Sequence, residues 1–397
     1  MKARFLIILI GLAILILLTT VFVIDRSRRV APTLPTSSPS SQNSFSREWS
    51  KGNCEGQGPV QFTEAIADPK EIEAIWPLGL MANDHVTPVD HQYYIFQNTS
   101  KDHLIHAPAK GNIVRVEYSS GRHKGYRVDI EFTCTFYLFV NPESLSDDVA
   151  RQISFDGTDH QVLSTRIPVA AGQVLGTGPG LDIWLINTQK QLPGFVVPSH
   201  YESEPWKIYA ASHLDYFVEP IKSQLLAIDL RLAEPRGGKI DYDVDGRLVG
   251  NWFKLGSVDS PEAYRQSGLY RNDLVFAYDF IDPTAIRISV GDYNGASKQF
   301  GVKGNGPDPK DVSVESGLIK YELTSFEWVN QQTGVAQGNW DLLLPGPEYR
   351  IRNIENAAQG VLLVQLMEER KLKIEIFPGK TASQVTSFTY KALIYER

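Results

Sequence analysis

Histidine and aspartate side chains occur in this chain at spacings that could support metal-dependent chemistry. The stretch HVTPVDH places Asp90 between His85 and His91, and a further carboxylate, Asp182, lies in the apolar stretch LDIWLI. A catalytic zinc ion needs three protein ligands and an open position for the water that it activates. One hypothesis is therefore a zinc site built from His85, Asp90 and Asp182. The alternative, which the sequence favours, is that these residues are structural and that the protein holds no metal or other cofactor.

The two carboxylates should differ in their surroundings. Asp90 closely follows Pro88, which is typical of a turn residue whose carboxylate bonds nearby backbone. Asp182 interrupts an apolar strand, and a carboxylate buried there needs a partner. We expect His85 or His91 to be that partner.

Aromatic and further histidine residues extend the set of candidates. Trp184 and Trp206 could line a groove that stacks on sugar rings, although core packing is the commoner role of tryptophan. His103 and His106 follow the first two histidines closely in the sequence. They either belong to a relocated metal site or are ordinary strand residues.

The candidate residues need a scaffold, and the stretch Leu104–Asn187 supplies one. Its segments alternate apolar and polar residues and are bounded by glycine or proline, which predicts short β-strands joined by tight turns. The order of these segments resembles the lysostaphin-type peptidoglycan endopeptidases, over about Pro77–Thr188. The segments that carry the resemblance are Ala107–Val114, Tyr126–Ile130, Thr135–Val140, Val169–Gly176 and Gly180–Ile183.

The resemblance implies a β-barrel-like domain with a duplicated hybrid motif, but most of the family's chemical groups are replaced. Phe139 stands where the family has a catalytic histidine, and Gly180 and Asp182 occupy the two positions of its His-x-His motif. Asp90 follows His85 at a spacing of five, where the family's motif has four. Both histidines that handle protons are therefore missing, and no general base of suitable pKa is left. We expect no catalytic residues in this domain.

The resemblance also implies a role and a surface for it. We expect a pseudoenzyme that binds or scaffolds at the cell envelope through a vestigial groove formed by His85, Asp90, Asp182 and Trp184. The partner would be peptidoglycan or another envelope polymer or protein. A zinc metallopeptidase with a rearranged site is the alternative.

The amino-terminal residues predict a membrane anchor. Phe5–Ile24 is an almost unbroken apolar run, and twenty helical residues span roughly 30 Å, the thickness of a bilayer core. A cleaved signal peptide is the competing interpretation, but its apolar core is usually shorter and precedes a small-residue cleavage site. We therefore expect a single-pass transmembrane helix within residues 1–29, with the bulk of the chain extracytoplasmic.

The remaining chain divides into a linker, a first domain, a helix and a second domain. Residues 30–52 are rich in Ser, Pro and Thr and predict a flexible tether. The endopeptidase-like domain would occupy residues 53–218, and helical spacing of apolar residues predicts a connecting helix over residues 219–238. Residues 239–397 show many strand-length runs separated by turn residues, which predicts an antiparallel β-sandwich or β-barrel.

Two cysteines and the overall charge complete the sequence-based expectations. An externalised chain with only Cys54 and Cys134 predicts one disulfide between them, the alternative being that Cys134 is a small buried apolar residue.

A net charge of -7 without a long basic run excludes an ordinary nucleic-acid partner. Gly250-Asn251-Trp252 resembles the Gly-x-Trp strand of lipocalins, so lipid or sugar binding by the second domain is a further alternative.

Overall fold

The fold is mainly β, as the alternating sequence predicts. The computed structural model describes residues 53–120, 124–337 and 348–397, which all belong to one compact unit. Within those ranges no helix combines the length and apolar character needed to cross a bilayer. The predicted anchor at 5–24 and the tether at 30–52 lie outside the described residues, so both stay predictions.

Eleven strands of the described chain form the first β-unit. They are β1 (Ile72–Trp76), β2 (Gln92–Phe96), β3 (His103–His106), β4 (Gly111–Ser119), β5 (Gly125–Thr133), β6 (Phe136–Val140), β7 (Ser144–Leu145), β8 (Gln161–Val169), β9 (Val174–Gly178), β10 (Gly180–Asn187) and β11 (Ala210–Ala211). Eight of them form an antiparallel sheet in the order β1-β2-β10-β6-β5-β4-β8, with β11 paired to β10, while β3-β9-β7 form a smaller sheet.

The strands of the first sheet bury one face, because alternate residues are apolar. On β10, Leu181, Ile183 and Leu185 point into the core. The residues between them, including Asp182 and Trp184, therefore lie on the opposite face, which we call the outer face. This alternation decides which candidate residues can reach a ligand.

The predicted disulfide is confirmed. Cys54 and Cys134 are bonded, with their Cα atoms 5.0 Å apart. The bond attaches the entry segment of the unit to the turn between β5 and β6.

Nine strands of the described chain form the second sheet. They are β12 (Gly250–Lys254), β13 (Asp273–Tyr278), β14 (Ile286–Tyr293), β15 (Ala296–Val302), β16 (Leu318–Asn330), β17 (Ala336–Gln337), β18 (Tyr349–Glu368), β19 (Lys371–Pro378) and β20 (Leu393–Glu396). The order β15-β14-β13-β12-β20-β19-β18-β16 closes on itself because β15 also pairs with β16. The result is a closed eight-stranded antiparallel barrel, so the barrel alternative is correct. Large buried side chains, including Trp252, Phe276, Phe300 and Tyr321, pack within it.

Three short α-helices occur among the described residues: α1 (Asp147–Ala150), α2 (Ile221–Ala227) and α3 (Pro261–Gln266). The prediction of a helix over residues 219–238 was wrong in extent. After α2 the chain turns to pair with β1: the N–H of Ile75 donates to the carbonyl of Ile228, and the N–H of Leu230 donates to the carbonyl of Ile75. These bonds hold the segment in an extended course that a helix could not follow.

Two β-units meet through an apolar seam. Trp76 and Leu80 from the first unit cluster with Phe280 and Trp328 from the second. The buried side chain of Arg231, from the connecting segment, donates to the carbonyl of Phe280 at 2.8 Å. Packing and hydrogen bonding therefore join the two units.

One buried arginine, which follows β20, bonds the turn segment that precedes β12. Arg397 donates to the carbonyls of Val244, Arg247 and Leu248 at 2.8, 2.9 and 3.3 Å. Its guanidinium lies 4.1 Å from the ring centre of Trp252. A shorter side chain would lose all of these contacts together.

We expect Arg397→Ala to lower the free energy of unfolding by about 3–5 kcal/mol, because it leaves the buried Asp243 carboxylate, 4.0 Å away, without its cation. The matched control is Arg370→Ala, since Arg370 bonds Asp245 at the surface at 2.8 and 2.9 Å and such pairs contribute about 0–1 kcal/mol. Denaturant titration measures both. Equal losses in the two variants would contradict the structural role given to Arg397.

A fully buried histidine in the first unit gives the fold a specific pH dependence. His213 lies in the 3₁₀ helix His213–Tyr216, and its Nε2 is 2.8 Å from the hydroxyl of Tyr94. Burial lowers the pKa of His213 to about 3. The unfolded chain therefore takes up the proton first, and acid favours unfolding.

We expect the wild type to lose roughly 3 kcal/mol more stability than His213→Gln between pH 7 and pH 4, because an unfolded histidine has a pKa of about 6.5. Glutamine places an amide group near the position of Nε2 and does not titrate. Urea unfolding of both proteins at several pH values measures the difference, in which other titrating groups cancel. Parallel pH profiles would show that His213 is not buried in its neutral form.

Candidate functional site

The candidate site centres on Asp90, at the edge of the outer face. Its Oδ1 accepts hydrogen bonds from His91 Nδ1 and Trp184 Nε1, both at 3.0 Å. Its Oδ2 accepts one from Trp206 Nε1 at 2.9 Å. An ionised carboxylate only accepts, so His91 must carry its proton on Nδ1. Both oxygens of Asp90 are therefore occupied by N–H donors.

The electrostatics favour the ionised form of Asp90. Burial raises its pKa, but the hydrogen bond from His91 and the positive charge of Lys207 outweigh this effect and hold the pKa well below the usual range. Lys207 is itself buried and donates to the hydroxyl of Thr87 at 2.8 Å. The expectation that Asp90 would bond nearby backbone was wrong, because its partners are two distant indoles and a neighbouring imidazole.

Trp184 is enclosed rather than presented as an open platform. The His91 ring packs against it with centroids 4.0 Å apart and planes inclined by 34°. From the β5 side, the guanidinium of Arg127 lies 5.5 Å from its ring centre. The His91 ring and the Arg127 guanidinium therefore both lie against the indole. Sugar stacking on the face that His91 covers would require the imidazole to move.

Asp182 lies on the outer face, but its partner is not the one that the sequence predicted. It lies opposite Tyr93 of β2, and its Oδ2 accepts a hydrogen bond from Asn141 Nδ2 at 3.4 Å. The expected pairing with a histidine was wrong, since the Nδ1 of His91 is directed to Asp90. The register of β10 against β2 explains this, because it pairs Asp182 with Tyr93, two residues along the chain from His91.

His85 remains outside the hydrogen-bonded group around Asp90. It lies in a turn, exposed to solvent, with its ring centre 6.0 Å from that of His91. The protein atoms around the ring lower the pKa of His85 to about 4, and the charges of His91 and Lys207 act in the same direction.

The other two histidines of the sequence cluster lie on the smaller sheet. His103 Nδ1 is 2.8 Å from Glu71 Oε2 and its Nε2 is 3.0 Å from the carbonyl of Asn98. Its ring stacks on Phe96 at 4.0 Å. His106 is also on β3. Among the residues that the structure describes, no three His, Cys, Asp or Glu side chains are grouped as metal ligands.

The structure adds Arg127 and Asn141 to the candidate site residues; the sequence did not single them out. The alternation of β5 could have placed Arg127 outward, because Val128 and Ile130 are apolar. Its nearness to Trp206 could not have been found, since that residue comes from a distant loop segment. Phe139, which stands at a catalytic position in the resembled family, pairs with Trp184 across β6 and β10 and is buried.

Comparison with known proteins does not identify the site, so its interpretation depends on its own geometry. No protein-family model matches the chain, and no significantly similar curated protein or solved structure was found. The resemblance to lysostaphin-type endopeptidases therefore stays a prediction that depends on the motifs quoted above.

Replacing Asp90 tests whether its charge organises the site. We expect Asp90→Asn to lower the free energy of unfolding by about 2–4 kcal/mol, since the new amide nitrogen would face an N–H group instead of accepting from it. Asp68→Asn is the control, because Asp68 is exposed and accepts one bond from the N–H of Lys70. Thermal unfolding should separate the variants. An unchanged midpoint in Asp90→Asn would contradict the central role of the carboxylate.

Proposed function

We propose that this chain is a membrane-anchored, extracytoplasmic protein whose first β-unit binds a cell-envelope polymer or protein without cutting it. The unit would be an inactive relative of the lysostaphin-type endopeptidases, with the duplicated hybrid motif that this relationship implies. Peptidoglycan is the proposed partner, and the outer face of β5, β6, β10 and β2 is the proposed contact surface. Phe5–Ile24 would anchor the chain.

One observation carries the proposal: the groups that would handle protons and metal have other uses. Phe139 is a buried hydrocarbon ring beside Trp184 and cannot accept a proton. Both oxygens of Asp90 receive N–H donors. Using Asp90 as a metal ligand would break at least one of these bonds and move an indole or an imidazole. The arrangement favours a rigid recognition surface over a hydrolytic centre.

The second β-unit is proposed as a supporting domain. Its barrel contains a packed cluster of side chains that includes Trp252 and Tyr321. A lipid or sugar inside the barrel would have to displace some of these side chains. This packing favours the first unit as the place of recognition.

The experiment tests first whether the full chain stays in the membrane and then whether it binds peptidoglycan. We expect it to remain in carbonate-washed membranes, because Phe5–Ile24 is long enough to span a bilayer. The detergent-extracted protein should sediment with purified peptidoglycan and release no soluble fragments when zinc is added. Asp182→Lys should reduce sedimentation, whereas Asp292→Lys, on an exposed hairpin of the barrel, should leave it unchanged.

Two results would overturn the proposal. Stoichiometric zinc together with fragment release that His85→Ala abolishes would establish a rearranged zinc peptidase. If the wild-type chain does not sediment with peptidoglycan, peptidoglycan is excluded as the ligand. Lipid or sugar binding by the barrel would then be tested directly.

A further inference from the structure

Arg127 lies in an aromatic enclosure on the outer face. Its guanidinium carbon is 4.4, 5.5 and 5.9 Å from the ring centres of Phe139, Trp184 and Trp206, respectively. We call these four residues the Arg127 enclosure. The side chain keeps 23% of its surface exposed. It is therefore held among apolar walls while remaining open to solvent on one side.

The hydrogen bonds of Arg127 leave its outer end unused. Nε donates to Asp129 Oδ1 at 2.9 Å, and the other oxygen of Asp129 accepts from Arg115 Nη1 at 3.1 Å. Within residues 53–120, 124–337 and 348–397, the two terminal nitrogens of Arg127 donate to no protein acceptor. Asp129 is fully buried, so its bond to Nε fixes the position of the guanidinium.

A fixed guanidinium with two free terminal nitrogens suits a carboxylate. The parallel N–H groups match the two oxygens of a carboxylate, and both bonds are charge-assisted. Because Asp129 and the aromatic rings already hold the side chain, little conformational entropy would be lost on binding. The chemistry of Arg127 alone would accept any small carboxylate, including a free amino acid.

Asn141 narrows the choice of ligand. It follows the Val128–Val140 pair by one residue and so lies opposite Arg127 on the neighbouring strand. Its Nδ2 donates to Asp182, and its Oδ1 is buried without a hydrogen-bond partner. A buried acceptor without a donor costs free energy, and a ligand N–H would remove that cost.

We propose that the Arg127 enclosure and Asn141 bind the carboxyl-terminal end of a peptide. The terminal carboxylate would bond the two outer nitrogens of Arg127, and the N–H of the last residue would donate to Asn141 Oδ1. Neighbouring strands are about 4.8 Å apart, a distance that one terminal residue can bridge. This inference rests on the proposed function in taking the outer face as the ligand surface, and it names the chemistry of the ligand.

The test titrates the full chain in detergent with acetyl-alanyl-alanine, its carboxyl-terminal amide, and acetate, following tryptophan fluorescence. We expect the acid to bind at least about tenfold more tightly than the amide, since the amide replaces an oxygen with a donor that faces Arg127. Acetate should bind more weakly than the acid because it lacks the N–H group. Equal affinity for acid and amide would overturn the proposal. Acetate binding as tightly as the dipeptide would reduce the site to a simple anion site and overturn the assignment of a peptide end.

Variants assign the effect to the residues named. Arg127→Gln should abolish binding, and Arg127→Lys should weaken it strongly while keeping the positive charge that Asp129 needs for folding. Asn141→Leu should weaken the acid and leave acetate unchanged. Arg166→Gln is the control, because Arg166 is an arginine of the same sheet that bonds Glu131 at 3.0 Å. Wild-type affinity in a folded Arg127→Lys would contradict the proposal.

Sedimentation with peptidoglycan separates the two proposals. If the wild type binds the dipeptide but not peptidoglycan, the envelope function fails and the peptide-end site stands. If it sediments with peptidoglycan and Arg127→Lys does so equally well while neither protein binds the dipeptide, the peptide-end site fails and the envelope function stands.

Discussion

The outer face of the first sheet depends on an ionised carboxylate that is shielded from water. Asp90 stays charged there because N–H groups approach both of its oxygens and because the positive charge of Lys207 lies nearby. The bonds from Trp184 and Trp206 orient both indoles and connect the segment that carries Trp206 to the sheet. The same indoles then form two walls around Arg127. The buried charge of Asp90 therefore helps to shape the outer face around Arg127.

Strand alternation supplies the second level of organisation. The residues that point inward on β5, β6 and β10 form one apolar core, and their neighbours form the outer face. Phe139 belongs to that outer face and is nevertheless buried, since the segment around Trp206 and Tyr209 covers it. A hydrocarbon ring at this position is stable because its surroundings are aromatic.

The two β-units use different solutions to the same problem of exposed strand edges. The second unit closes into a barrel, which leaves no free edge among the eight barrel strands. The first unit instead has a sheet that runs from β1 to β8, and the connecting segment pairs with β1 at Ile75. Since that segment also carries Arg231, which bonds the second unit, protection of the edge and joining of the units are achieved together.

The sequence by itself determined the β class, the disulfide, most of the strands and the inward or outward direction of their side chains. These features depend on local alternation and on there being only one possible cysteine pair. It gives little sign of β15, the strand that closes the barrel, because Ala296–Val302 has little alternation and its strand state depends on pairing with β14 and β16. It also overestimated the length of α2, since backbone bonding to β1 prevailed over helical spacing.

Only the tertiary structure decided how the site is assembled. The two indoles that bond Asp90 are 94 and 116 positions away in the chain, and neither distance is encoded in a local pattern. A carboxylate after a proline looks like a turn residue until the fold brings those donors to it. Likewise, Arg127 reads as an ordinary outward-facing residue until Trp206 is placed beside it. Local periodicity fixes the face on which a side chain lies, whereas its partners depend on which distant segments the packed core brings together.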